Sequence, residues 1–375
     1  MHKYRIALVH DWLTGTRGGE KCLAPVARRY PDATLYTLLH KRGSVPAEIE
    51  RLQIRTSWLN NLPGWPGYYR YLLPLMSGAV KWKLSKDTDL VLSFSHCVAK
   101  GVKAPPGVPH ISYCFTPMRY AWHQRGQYFR DTGLKAVVRD SLLSRIRRWD
   151  KRTAADVTHF VAISETIRTR IRECYDRDCT VIYPPVDTDF YTPATDVPRE
   201  EFYLVVSALA PYKRFDLAIE SCRRLQRQLV VIGTGQDEAK LKQSAGSGVR
   251  FLGWQTDEVI RDHYRRCKAV LFPAEEDFGI VPVEAQACGA PVIAFGRGGA
   301  TETITPDTGV FFEEQTADSL LSAMEHFEKT SFDPSLARMN AERFNTARYE
   351  RELFAFIDAV LRSSTSTSAS TGSQA

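Results

Sequence analysis

Three stretches of the sequence gather residue types that can hold an anionic, hydroxyl-rich ligand. The densest is FPAEEDFGIVPVEAQACGAPVIA (272–294). Glu276 and Glu284 stand eight positions apart, about two turns of an unbroken helix, but Phe278, Gly279 and Pro282 intervene. The spacing therefore predicts Glu276 in a loop and Glu284 inside a helix that starts near Ile280. Gly279 permits close backbone approach. The amides of Gly279, Ile280 and Val281 would lack intrahelical partners, which favours an anion there. Carboxylates accept hydrogen bonds from hydroxyls, so the two glutamates read as holders of a sugar and a ribose. The competing reading is an exposed acidic loop.

The second stretch is SALAPYKRFD (207–216), between an expected strand and an expected helix. Strand C-terminal ends are where open α/β sheets bind ligands. Lys213, as a point charge, and Arg214, as a bidentate fork, suit a diphosphate; a solvated turn is the alternative. The third is HDWLTGTRGGEKCL (10–23), with Gly15, Gly18 and Gly19 after the first apolar run. Its spacing is not G-x-G-x-x-G, so it is either a tight structural turn or a ligand loop.

The elements that must position these stretches are short, β-rich apolar runs alternating with helical patterns. In the first half they are Arg5–His10, Ala33–Leu38, Asp89–Ser93, His110–Tyr113 and Thr158–Ile163. In the second they are Tyr203–Ser207, Leu229–Ile232, Val249–Leu252, Ala269–Phe272, Pro291–Ala294 and Gly309–Phe312. Such alternation implies parallel sheets covered on both faces, an α/β fold of two Rossmann-like domains. Ser164 reads as the N-cap of a helix to about Tyr175. Pro184–Pro185 then breaks regular structure, and the alternation restarts. The expected division is a first domain over 1–183, a linker over 184–193 and a second domain over 194–345. A helix over 346–362 and a disordered Ser/Thr-rich tail over 363–375 follow.

The 375 residues suit two domains. The +7 formal charge is mild, favouring anionic ligands or an anionic membrane surface over nucleic acid. Arg139, Arg145, Arg147, Arg148, Lys151 and Arg152 form either a solvated helix face or a docking face. Eight cysteines occur with no CxxC pair, which argues against a zinc site or a disulfide framework and for a reducing cytoplasm. No run of about 18 apolar residues exists to span a membrane, and the N-terminal apolar run is too short for a signal peptide. Residues 59–76, dense in Trp, Tyr and Leu around Arg70, read either as a core helix or as an interfacial patch for a lipid-linked acceptor. Asp87-x-Asp89 and Asp187-x-Asp189 spell a metal–diphosphate signature without its context, so no metal is expected.

The motif from Glu276 through Glu284, with EAQACGAPVIAFGRGGATETI (284–304), resembles retaining glycosyltransferases of family 4, which have the GT-B fold. SALAPYKRFDLAIE and VIYPPVDTDFY resemble the same family, and the likeness covers nearly the whole chain except the last dozen residues. HDWLTGTRGGEK, SFSHCVAKGV and YCFTPMRYAWH are similar to the subgroup with bacterial mannosyltransferases of O-antigen and capsule assembly. The resemblance implies two domains facing a cleft and a C-terminal helix returning to the first. It implies Glu276 on donor-sugar hydroxyls and Glu284 on the ribose. Lys213 would serve the leaving diphosphate, the amides of Phe278–Val281 the sugar and phosphate, and Gly18 and Gly19 the border of the phosphates.

Two positions depart from the family pattern: Ala208 stands where an Arg is frequent, and Phe115 where many relatives carry a His. Arg214 and His96, respectively, are the candidate replacements, with a structural role the alternative for His96. Arg119, Tyr120 and Trp122 either line an acceptor cleft or pack. The expected partners are a nucleotide-sugar, GDP-mannose foremost, and a lipid-linked saccharide acceptor, with no cofactor and no nucleic acid. The expected location is the cytoplasm, in peripheral contact with the inner membrane face. The rival readings are a nucleotide-sugar epimerase of the same fold and a non-enzymatic sugar-nucleotide-binding module.

Overall fold

The computed structural model describes residues 4–119, 121–122, 134–194 and 196–371. The chain divides into two compact units, one of residues 1–183 with 349–375 and one of residues 184–348.

The first unit is built on a seven-stranded, all-parallel sheet in the order β3-β2-β1-β4-β5-β6-β7. The strands are β1 (Ile6–Leu13), β2 (Thr34–His40), β3 (Gln53–Thr56), β4 (Leu90–Ser95), β5 (His110–Cys114), β6 (His159–Ala162) and β7 (Cys179–Val181). Central strands β1, β4 and β5 are buried along their whole length, as a sheet covered on both faces requires. The unit's long helices are α1 (Gly18–Arg29), α2 (Leu134–Ala154), α3 (Glu165–Tyr175) and a C-terminal helix, α4 (Thr346–Thr371). The Ser164 hydroxyl caps α3 by accepting from the Ile167 amide at 3.1 Å, and the helix ends at Tyr175. Helix α4 buries Tyr349, Leu353, Ile357, Val360 and Leu361. Its Tyr349 hydroxyl donates to the Cys22 carbonyl of α1 at 2.8 Å.

The second unit repeats the plan with six parallel strands, β10-β9-β8-β11-β12-β13. These are β8 (Phe202–Val206), β9 (Gln228–Ile232), β10 (Val249–Gly253), β11 (Ala269–Phe272), β12 (Val292–Phe295) and β13 (Gly309–Phe312). Its helices include α5 (Phe215–Arg224), α6 (Asp257–Arg266), α7 (Ile280–Ala287), α8 (Ala317–Phe327) and α9 (Pro334–Glu342). Val205, Val231, Leu271 and Ile293 from the sheet meet Leu217, Leu320 and Met324 from α5 and α8 in one buried cluster.

The sequence placed eleven of these strands; β3 and β7 are additions. Both are short sheet edges, and the polar QIRT of β3 is half exposed, so neither carries a buried apolar run to read. Residues 184–193, expected as a linker, belong to the second unit. Arg338 donates there to the carbonyls of Thr188 and Tyr191 at 2.7 and 2.6 Å. The expected disordered tail is corrected in part, because α4 continues to Thr371. Extending an existing helix adds a hydrogen bond per residue with no nucleation cost, so weak helix formers such as Ser and Thr can follow on. No helix among the described residues is long and apolar enough to cross a membrane.

Candidate functional site

In the second unit the chain leaves β8 and β11, which are neighbours, for opposite sides of the sheet. That is the switch point where an open α/β sheet leaves a crevice at its C-terminal edge. Residues 207–214 follow β8, and residues 273–279 follow β11. The first segment is clamped from behind by the turn after β9. Leu209 donates to the Thr234 carbonyl at 3.0 Å, and a side chain at Gly233 or Gly235 would collide with the carbonyls of Ser207 or Leu209. Arg214 adopts a left-handed backbone, φ 53°, an uncommon conformation for a non-glycine residue. It ends the 211–213 turn and starts α5.

That turn presents Lys213, which is buried and forms an ion pair with Glu276 of the opposite segment. Glu276 is held by its backbone: Gly299 donates to its carbonyl at 2.7 Å, and Gly298 bridges to it. A side chain on Gly298 would strike the Glu276 carbonyl, and one on Gly299 would strike the backbone of Phe278. The glycine pair of the GRGG turn therefore exists to let the Glu276 loop lie against it.

Helix α7 starts at Ile280 behind Gly279, whose φ is +88°, so Glu276 is a loop residue and Glu284 a helical one, as the spacing predicts. Glu284 is buried and accepts a 3.4 Å contact from the Tyr264 hydroxyl. Burial, with the negative charge of Glu284 second, pushes the Tyr264 phenol well above its usual range. Phe278 is buried, its ring 5.5 Å from that of Phe344, while Ile280 and Val281 are half exposed. The helix is fixed in place by buried amides. Gln286 donates to the carbonyls of Pro282 and Thr303, and Asn340 of α9 donates to Gln286, all within 2.7–2.9 Å. Arg214 spends its guanidinium on Asp216 and Gln315, 3.1–3.3 Å away.

The first unit has its own switch point, between β1 and β4. Gly18 and Gly19 open α1 there, and the Glu20 carboxylate accepts from the Arg17 amide at 2.9 Å. A side chain on Gly19 would press on His10 and Phe115. His10 is buried and donates through Nδ1 to the Trp12 carbonyl at 3.1 Å; its buried Nε2 has no hydrogen-bond partner among the described residues. Asp11, wholly buried, accepts from the backbone amides of His96, Cys97, Val98 and Ala99 at 2.7–2.9 Å. Its Oδ2 also lies 3.1 Å from His96 Nδ1. The His96 ring stands edge-on to Trp12 with centroids 4.4 Å apart, and its side chain keeps 30% of its surface exposed. Burial depresses the His96 pKa below its usual value, partly opposed by the Asp11 charge. His10 and Asp11 went unmarked in the sequence, although HDW is part of the first loop motif.

The remaining expectations divide. Trp122 packs: its indole donates to Asp150 at 2.9 Å, within a buried set where Lys100 pairs with Asp150 at 2.7 Å and Tyr175 donates to it at 2.8 Å. Tyr120 lies outside the described residues, as does the side chain of Arg139. Within 59–76, Leu59, Trp65, Tyr69, Leu72 and Met76 join a core cluster, while Tyr71 and Leu75 are exposed. Arg145, Arg148, Lys151 and Arg152 are exposed on α2. Asp89 accepts from the Arg5 amide and Asp187 from the Phe190 amide. Among the described residues no cluster of His, Cys, Asp and Glu forms a metal site.

Residues 190–345 match the family model described as Glycosyl transferases group 1, and residues 18–190 that described as Glycosyltransferase Family 4. The two matched stretches adjoin at residue 190 and together span residues 18–345. A GDP-mannose-dependent monoacylated alpha-(1-6)-phosphatidylinositol monomannoside mannosyltransferase of Corynebacterium glutamicum is 29% identical over 210 residues, 48% of this chain and 55% of that protein. A D-inositol 3-phosphate glycosyltransferase of Mycobacteroides abscessus is 35% identical over 140 residues, 32% of each chain. The chain spans about half the length, or less, of these curated relatives. Among solved structures, Anabaena Alr3699/HepE in complex with UDP aligns over 95% of this chain and 100% of its own, with TM-score 0.71 and 18% identity. The lipopolysaccharide outer core galactosyltransferase WaaB in its apo form aligns over 95% and 99%, with TM-score 0.66 and 17% identity. The two Rossmann-like units are those of the GT-B fold.

Proposed function

We propose that the chain is a retaining, metal-independent hexosyltransferase. Its donor would be a nucleotide-sugar, GDP-mannose foremost, and its acceptor a lipid-linked saccharide of bacterial surface polysaccharide synthesis, met at the inner membrane face. The observation that carries the reading is the Lys213–Glu276 ion pair beside the start of α7, with Glu284 behind it. A cation, a carboxylate and a helix N-terminus meet at one switch point, and together they match a diphosphate joined to a sugar.

On this reading the donor's phosphates take Lys213 and the α7 amides, which releases Glu276 to a sugar hydroxyl, while Glu284 serves the ribose. As the C1–O bond breaks, the charge growing on the diphosphate is met by Lys213 and those amides, placed before the reaction begins. The acceptor hydroxyl adds to C1 from the side of the departing phosphate, whose oxygen takes its proton, so configuration is retained. The relative named as GDP-mannose-dependent supports the choice of donor. Exposed Trp58, Tyr71 and Leu75 in a basic chain support a membrane-surface acceptor.

The test is thermal stabilisation by GDP-, UDP- and ADP-sugars, followed by turnover of the stabilising donor with a lipid-linked acceptor. A donor that binds only the folded state raises the melting point. We expect the largest shift with GDP-mannose, and transfer that persists in EDTA. Isomerised donor formed with no acceptor present would overturn the transferase reading, and loss in EDTA restored by Mg²⁺ would overturn the metal-free one.

A further inference from the structure

In the second unit the segments that deliver Lys213 and Glu276 are joined a second time, by a residue of a third segment. Gln315 lies in the turn between β13 and α8, where Thr316 caps the helix by accepting from the Ser319 amide at 3.3 Å. Its side-chain Nε2 donates to the Pro273 carbonyl, just after β11, at 2.9 Å. Its Oε1 and its backbone carbonyl each accept from Nη1 of Arg214, beyond β8, at 3.3 Å. The amide is held in one orientation. Turned over, it would set its oxygen against the Pro273 carbonyl and its NH2 against the guanidinium. The other edge of the guanidinium meets Asp216, with Nε and Nη2 each 3.1 Å from a carboxylate oxygen.

Arg214 stands where the backbone suits glycine. Its φ of 53° lies in the left-handed region that glycine enters freely and most side chains avoid. Its ion pair with Asp216 is open to solvent, the two side chains being 31% and 54% exposed, and such pairs add little stability. What an arginine supplies here, and glycine would not, is a planar fork that spans Asp216 and Gln315 at once. We propose that Arg214 and Gln315 are positioning residues: through the Pro273 carbonyl they set the Glu276 segment against the Lys213 segment. The Arg214 guanidinium is then no ligand of the diphosphate, whose charge is left to Lys213 and the α7 amides. That the two segments hold a donor rests on the proposed transferase function; the tie between them does not.

The test uses the full chain and two readouts, hydrogen–deuterium exchange and donor kinetics. Gln315→Met keeps the volume, leaves Arg214 and its charge in place, and removes the bond to Pro273. Peptides covering 273–279 should exchange faster in this variant than in the wild type, and those covering β12 should not change. With the donor identified by thermal stabilisation, Gln315→Met should raise KM and lower kcat/KM roughly tenfold, as lost orientation does. Arg214→Gly should match that loss while its melting temperature falls little, because glycine relieves the backbone. Arg214→Lys keeps the charge but not the fork, so it should be as poor as Arg214→Gly. The Arg214→Gly, Gln315→Met double variant should be no worse than either single. Unchanged exchange over 273–279 in Gln315→Met would overturn the proposal. So would wild-type kcat/KM in Gln315→Met beside a loss in Arg214→Gly that Arg214→Lys restores, since Arg214 would then act on the ligand by its charge. Should Gln315→Met not fold, Gln315→Glu takes its place, keeping an acceptor for Arg214 and losing the donor to Pro273. If the wild type turns over no sugar nucleotide, the transferase reading fails, and the exchange rates still decide the tie.

Discussion

Strands β1 and β8 occupy the same place in their sheets, third from one edge, with β4 and β11 beside them. At both, residues delivered by the first strand face residues delivered by the second. In the first unit the charge delivered by β1 is consumed within the protein: Asp11 is fully buried and committed to backbone amides. In the second, Lys213 and Glu276 neutralise each other, with their side chains 10% and 23% exposed. One arrangement is permanent scaffolding that folds the loop after β4 around a carboxylate. The other is a provisional pairing of two groups, each of which has the chemistry to take part of a ligand. Identical topology thus yields a rigid arrangement and an exchangeable one, and the difference lies in whether the partner is backbone or side chain.

The comparison breaks most visibly at the exchangeable pair. On the proposed reading, in which Lys213 faces the growing charge and Glu276 anchors the sugar, Lys213→Ala and Glu276→Ala should each lower turnover ~10²-fold or more. Steady-state assay of the purified, folded variants checks this, and near-native transfer by either would remove it from the site. Thermal melts add a sharper test. Each single variant strands a buried or half-buried charge, at a cost on the order of 1 kcal/mol, so the double variant should lose less stability than the sum of the singles.

A smaller effect is expected at the turn behind the pair. Gly299→Ala places a methyl against the Phe278 backbone, and such overpacking costs ~1–3 kcal/mol. Calorimetry should show a lowered melting temperature, and donor titration a raised KM. An unchanged KM would mean that this contact does not set the position of the Glu276 loop. The smallest change is Tyr264→Phe. It removes a 3.4 Å contact to Glu284 worth at most about 1 kcal/mol, so KM for the donor should rise only a few-fold. A larger loss would give the phenol a direct part in holding the ribose.

The sequence revealed those parts of the site that depend on local backbone chemistry. Gly279 and Pro282 announce a loop followed by a helix start, which places Glu276 and Glu284 correctly. Lys213 was legible because it follows a clear apolar strand. Asp11 was not: the expected strand ended at His10, whereas β1 runs through Leu13. Moreover, its partners are amides some 85 residues further along the chain, and backbone donors carry no residue signature. Trp122 had the composition of a ligand-lining residue, but its indole meets Asp150, a contact between segments that no periodicity encodes. The division within 59–76 was equally hidden. Tyr69 and Tyr71 are two positions apart, yet one is 8% and the other 84% exposed.

The course of the chain through the two units has a consequence for biogenesis. The second unit is a single uninterrupted stretch, 184–348, whereas the first is closed only by residues from Tyr349 onward. During translation the later unit can complete its core while the earlier one still lacks the Tyr349, Leu353 and Ile357 side chains that seal it. The nascent first unit therefore lacks part of its apolar core until those residues are made. The half synthesised first is the last to mature.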